Sequence, residues 1–311
     1  MKTANILSIN GGGIRGLIAL QQLVELEKII DVPLYKHFDY IAGTSTGGII
    51  AVFLSIGYTP TELLDIYLEH GNKIFDKRFL RFGLLRAKYN DKYFNDIIDS
   101  FAKGNTLKDC KTSIVIPAYN ASKKELKLFK SDKALYDDKY NYSLFNVVRS
   151  TASAPSYFKP IVIDNNYYID GGLVVNNPVM MVFLEALKEG FTSFNILSFS
   201  TGSTEQPLSK SVADGGAINW AKESVDILLT EMDETTHYTM TQLFDLFPVL
   251  NKKRLGMYIR CESYIEKSSG KIDDASKENI YRMTLDGLLS ASRNKDKMQT
   301  YYLNSIKNEK N

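Results

Sequence analysis

Hydrophobic positions along the chain alternate between two periods. Residues 5–9 form a short apolar run that stops at Asn10-Gly11-Gly12-Gly13, after which Leu17, Leu20, Val24 and Ile30 recur at helical spacing. The pattern predicts a strand, a tight turn and a helix. Residues 38–42 predict a second strand, closed by Gly43-Thr44-Ser45-Thr46-Gly47-Gly48, and residues 47–58 predict a buried helix directly after it. Thr59-Pro60-Thr61-Glu62 has the pattern of a capping box with proline at the first helical position, which starts a helix to about His70. Strands at 113–118, near 167–169 and at 194–199 then alternate with helices at 144–150 and from Pro178, the latter capped by Asn177. Beyond residue 210 the pattern is helical: 218 to about 244 reads as one helix or two, and 276 to about 306 as a pair with Leu285, Leu288 and Leu289 on one face.

Strands alternating with helices predict an α/β fold around a mostly parallel sheet, with a helical C-terminal section. No repeat or low-complexity linker divides the chain, so one domain is expected over 1–311, with a motif-bearing core at about 5–200 and a helix-rich section at about 210–311. At 44% hydrophobic and 24% charged the composition is globular, and 38 Lys and Arg against 36 Asp and Glu leave +2, which argues against a dedicated binder of nucleic-acid polymers. Cys110 and Cys261 form no CxxC pair, so neither a disulfide framework nor a zinc site is read. The apolar stretch at 47–58 has about half of the roughly 20 residues that a bilayer requires, and the first ten residues lack a signal-peptide pattern. A cytoplasmic chain is expected.

Three glycine-marked sites carry the candidate chemistry. Gly11-Gly12-Gly13-Ile14-Arg15-Gly16 fits G-x-G-x-x-G between strand and helix, a turn whose free amides suit a phosphate and an oxyanion equally. A dinucleotide site further needs an acid at the end of the second strand, where this chain has Ala42-Gly43, with Asp39 near the strand's beginning. Gly43-Thr44-Ser45-Thr46-Gly47 matches G-x-S-x-G between strand and helix; Ser45 is either a nucleophile on a sharp elbow or a helix cap. The glycine turn 30 residues earlier favours a nucleophile with an oxyanion hole. The third site is Asp170-Gly171-Gly172 at the end of a strand, followed by Asn176-Asn177-Pro178. The chain has three histidines, His37, His70 and His237, and the order Ser45, Asp170, His237 would satisfy a conventional triad. Against it, the glycine turn follows the first strand rather than the third, and His237 lies among Glu231, Asp233 and Glu234 in a predicted helix.

The segments NGGGIRG (10–16), FDYIAGTSTGG (38–48), STASAPSYFKP (150–160) and YYIDGGLVVNNP (167–178) together resemble the patatin-like phospholipase family, in order and spacing, over about residues 5–200. The resemblance implies a three-layer α/β/α sandwich and a dyad in which Ser45 is the nucleophile and Asp170 the general base. It makes Gly11, Gly12 and Gly13 the oxyanion hole, supported by Arg15, Gly16, Gly43, Thr46, Gly47, Gly171 and Gly172. Asn10 stands where plant patatins have Asp. The implied activity is hydrolysis of fatty-acyl esters of membrane phospholipids, without cofactor or metal. Compact bacterial members include antiphage effectors silent until a cyclic oligonucleotide binds, and the chain is similar to them in length.

Two further features fit a lipid substrate. Arg15 falls in the first turn of a helix, unfavourable for a cation, and is a candidate to anchor the oxyanion loop or meet a phosphate headgroup. Residues 73–92 hold seven Lys and Arg against two Asp, a surplus of +5 interleaved with Phe75, Phe79, Phe82, Leu84 and Leu85. That pattern suits peripheral contact with the anionic inner face of a membrane, or a helix with one solvated face. Because the sequence has no EF-hand or clustered acidic loop, ester hydrolysis is predicted to be unchanged by EDTA; a chelator-sensitive rate would refute this.

Overall fold

The computed structural model describes residues 2–76, 87–203, 210–251 and 255–308, the side chains of 210, 211, 217–219, 221–231, 250, 251 and 308 excepted. The predicted strands are present as β1 (Thr3–Ile9), β2 (Tyr40–Gly43), β3 (Ser113–Asn120), β6 (Asn166–Asp170) and β7 (Ser193–Phe199), and the structure adds β4 (Glu125–Lys130), β5 (Ile161–Ile163) and β8 (Gly256–Cys261). The helices are α1 (Gly16–Ile30), α2 (Leu34–His37), α3 (Thr46–Ile56), α4 (Pro60–Ile74), α5 (Asp91–Ala102), α6 (Ser131–Tyr136), α7 (Leu144–Ala152), α8 (Val179–Lys188), α9 (Lys210–Ala213), α10 (Ala217–Asn251) and α11 (Lys277–Asn308). The predicted capping box of α4 is present, with Thr59 and Glu62 each bonding the other's backbone amide.

One sheet carries the strands in the order β5-β6-β3-β2-β1-β7-β8, with β4 also paired to β3. Strands β3, β2, β1, β7 and β8 run parallel, whereas β4 and β6 are antiparallel to β3 and β5 is antiparallel to β6. The central strands are apolar on both faces because helices cover both. From β1, Leu7 and Ile9 join a core packed by α1, α3, α5 and α7, while Ala4 and Ile6 face α8 and Met240 of α10. The predicted three-layer α/β/α sandwich and mostly parallel sheet are thus observed.

The C-terminal section departs from the sequence reading. The span read as a pair of helices is one continuous helix, α11, and α10 is likewise one helix. The face of α11 with Leu288 and Leu289 is turned outward, these residues being 51% and 37% exposed; the buried face holds Met283, Asp286, Gly287, Ser290, Asn294 and Met298. Close approach to α1 explains the choice. A Cβ on Gly287 would lie 2.7 Å from Gln21 Cγ and 3.3 Å from Ile18 Cα, so α11 packs through small residues where a leucine would not fit. Asn294 Nδ2 donates to Gln22 Oε1 (2.9 Å), and Asp286 accepts the amides of Glu266, Lys267 and Ser268, so these buried polar groups are matched. Gly287→Leu is therefore expected to lower the unfolding free energy by about 1–3 kcal/mol, read by chemical denaturation; an unchanged midpoint would contradict this packing.

Candidate active site

Sheet register brings the site together. Continuing the β2–β3 pairing of Ala42 with Val115 by three residues sets Ser45 level with Ala118, and Ala118 pairs with Asp170 on the antiparallel β6. The serine leaves the end of one strand as the carboxylate arrives on another. Ser45 Oγ donates to Asp170 Oδ2 at 2.6 Å. The other carboxylate oxygen, Oδ1, accepts the Gly172 amide at 2.7 Å, which fixes the plane of the group.

Ser45 has φ 53° and ψ −119°, a backbone conformation that non-glycine residues rarely adopt. The strain turns its side chain out of the strand direction, as a nucleophile elbow requires. It is held by the Ser45 amide donating to Thr151 Oγ1 (2.9 Å) and by glycine at 43 and 47, since a Cβ on Gly43 would strike the Gly47 carbonyl. Thr151 belongs to the 150–160 motif, yet its role was not legible without the fold.

The glycine turn after β1 faces the same serine. Asn10 and Gly11 donate their amides to the carbonyls of Phe199 and Asn176, and Thr201 Oγ1 donates to the Gly11 carbonyl. The Gly11 amide is thus bonded to the scaffold, while Gly11 itself lines the cavity at Ser45. The amides of Gly12, Gly13 and Thr46 have no acceptor among the described residues, and all three residues line the cavity at Ser45. Gly13 sits at φ 58°, pressed on the Ile272 carbonyl, which accepts the Ile14 amide at 2.9 Å. A loop far along the chain therefore braces the turn. Arg15 follows in a short 3-10 turn with its side chain lining the cavity, and Gly16 packs on Thr46.

The cavity has a volume of about 260 Å³ and runs from Ser45 and Asp170 between Ile49, Phe53, Leu63, Phe94, Ile98 and Phe158. Its walls are apolar and its reactive end polar, the distribution that suits an acyl chain with a carbonyl at one end. Asp170 is 5% exposed, and burial pushes its carboxyl up to about 6, against the lowering effect of the bonds from Ser45 and Gly172. A carboxylate in that range is a stronger base than an ordinary aspartate while still ionised at neutral pH.

No histidine is among the cavity residues. His37 packs on Tyr301, His70 bonds Tyr93 and His237 bonds Tyr258, so the conventional triad is not assembled. Asp39 accepts the Asn5 amide at the start of β2, away from the glycine turn, which leaves the dinucleotide reading without its acid. Of the basic segment 73–92, residues 77–86 lie outside the described residues; Lys88 pairs with Asp273, which borders the cavity. Among the described residues no helix is long and apolar enough to cross a membrane.

A family model described as patatin-like phospholipase matches residues 7–183. The Patatin-like protein 1 of Arabidopsis thaliana is 27% identical over 328 residues, covering 88% of this chain and 78% of its own. A cGAMP-activated phospholipase of Vibrio cholerae is 29% identical over 319 residues, covering 93% and 89%; one of Pseudomonas aeruginosa is 34% identical over 181 residues, covering 57% and 54%. Among solved structures, VipD from Legionella pneumophila aligns with a TM-score of 0.47 at 14% identity, over 96% of this chain and 67% of that one.

Titration of Asp170 sets two expected outcomes. Acylation of Ser45 by an electrophilic phosphonate should fall about tenfold per pH unit below pH 6, because only the carboxylate accepts the proton. Burial raises the folded-state value, so the stability associated with the protonated form is present at low pH and lost as pH rises through about 6. Asp170→Asn should accordingly raise Tm at pH 7 by about 2 °C or more while abolishing acylation; a flat pH profile or a lowered Tm would contradict this assignment.

Proposed function

The chain belongs to the patatin-like phospholipase family and is a lipid hydrolase, and we propose that it cleaves fatty-acyl esters of membrane phospholipids with Ser45 as nucleophile and Asp170 as general base. The observation that carries this reading is the 2.6 Å bond between Ser45 Oγ and Asp170 Oδ2, at the polar end of an apolar cavity. In the first step Ser45 Oγ attacks the ester carbonyl and its proton passes to Asp170. The amides of Gly12 and Gly13, with that of Thr46, hold the developing oxyanion. Collapse expels the lysolipid alcohol, which takes the proton from Asp170. Water then attacks the acyl-serine, giving its proton to Asp170, and the fatty acid leaves as Ser45 recovers the proton.

The relatives named cGAMP-activated phospholipases support a second element: a cyclic dinucleotide switches this hydrolase on, in a role in antiviral defence. We further propose one domain over 1–311, a cytoplasmic location and peripheral contact with the inner leaflet through 73–92, supported by that segment's +5 surplus. The rival use of the Gly11–Gly16 turn, as a nucleotide site, is disfavoured because Asp39 is held at the far end of β2.

The test gives wild type, Ser45→Ala and Asp170→Asn short-chain esters and mixed phospholipid vesicles, with and without a panel of cyclic dinucleotides including cGAMP. Fatty-acid release is expected from wild type, with a fall of at least about 10³-fold in both variants. Turnover surviving in both would remove the dyad. A wild-type rate that every panel member leaves unchanged would remove the switch.

A further inference from the structure

Behind the glycine turn lies a charged cluster, built on a buried arginine, that the dyad chemistry does not use. Arg260 on β8 is 5% exposed, and its Nη2 donates to both oxygens of Asp233 on α10 at 2.8 and 2.7 Å. Its Nη1 donates to Asn10 Oδ1 (3.1 Å) and Ser198 Oγ (2.8 Å), and its Nε to Glu262 (2.8 Å). Asp233 in turn accepts from Asn10 Nδ2 and, at 2.8 Å, from Asn177 Nδ2. A guanidinium only donates and a carboxylate only accepts, so both ends of the Asn10 amide are assigned. Asn10 immediately precedes the glycine turn. Asn177 follows Asn176, whose carbonyl holds the Gly11 amide, in the loop that begins at Asp170. One carboxylate therefore ties the loop carrying the oxyanion donors to the loop carrying the general base.

We propose that Asp233 and Arg260 are positioning residues that set the Gly12 and Gly13 amides against the Ser45–Asp170 pair. The proposal rests on the dyad reading above. An oxyanion donor contributes only when held within a few tenths of an ångström of the developing charge. Two glycine-rich loops have little stiffness of their own. The cluster supplies it through charge-assisted bonds in a buried setting, where losing one partner is costly. It also accounts for an amide at position 10: a carboxylate here would face that of Asp233, whereas an amide bridges Asp233 and Arg260. Because Asp233 is on α10, displacement of that helix acts directly on both loops.

The test is an exchange of partners. Asn10→Asp sets two carboxylates face to face, and Asp233→Asn takes the carboxylate from Arg260 Nη2 while the pair with Glu262 remains. The double exchange Asn10→Asp with Asp233→Asn keeps one carboxylate beside Arg260 and one amide bridge. Each single variant is expected to lose at least about tenfold in kcat with KM within twofold of wild type, and the double variant to recover most of that loss. Losses confined to KM, singles as active as wild type, or a double no better than the worse single would overturn the proposal. If a charged single does not fold, Asn10→Ala removes the bridge without adding charge, and an unchanged kcat overturns the proposal. Should wild type be silent on every ester, hydrogen exchange decides: Asn10→Ala should speed exchange at 10–14 and 174–179 together, and unchanged exchange in either segment overturns it. Wild-type turnover that survives Ser45→Ala would instead defeat the dyad reading, so the two failures are distinct.

Discussion

The hydrogen bond from Ser45 to Asp170 is the constraint around which the rest of the structure is arranged. It requires a hydroxyl on a strained elbow and a carboxylate removed from water to meet at 2.6 Å, and neither condition is favourable by itself. The strained serine is held by Thr151 and by glycines that let backbone atoms touch. The buried carboxylate is held by the Gly172 amide and gains basicity from its burial. A histidine base would need a third group to orient it, and no histidine is among the described residues that line the cavity.

A purely parallel sheet would place Asp170 differently. Because β6 runs against β3, its final residue arrives beside Ala118 of β3, one strand away from β2, from the opposite direction. The antiparallel edge of the sheet is thus part of the geometry that pairs Ser45 with Asp170. Support from behind comes from residues far along the chain: Ile272 under the Gly13 turn, and Arg260 with Asp233 behind Asn10. Helix α11 lies against α1 through Gly287 and buried polar pairs, fixing the helix that begins at the turn.

Much of this was legible in the sequence, for physical reasons. Glycine and proline punctuate the chain where the backbone is most constrained, so Gly11–Gly13, Gly43–Gly47 and Asp170–Gly172 announced themselves, as did the apolar runs between them. Contacts between distant segments left no such mark. The sequence does not show that the Gly11 amide is taken by Asn176, that Thr151 holds the serine, or that Arg260 meets Asp233, since each depends on how separate elements pack. The face of α11 was misread because leucine spacing ordinarily marks a core. Here close approach to α1 requires glycine at 287, and serine and asparagine are buried beside Met283 and Met298. Strand β4 carries the alternating signal of a half-buried strand in Glu125-Leu126-Lys127-Leu128, before Phe129 breaks it.

The central claim is that Ser45 is the activated nucleophile and that Asp170 activates it. Its most direct test is peptide mapping by mass spectrometry after brief exposure to a fluorophosphonate, in wild type and Asp170→Asn. The account predicts a single adduct on the peptide containing Ser45, at full occupancy in wild type and nearly absent in the variant. An adduct on another residue, or equal labelling of Ser45 without the carboxylate, would contradict it.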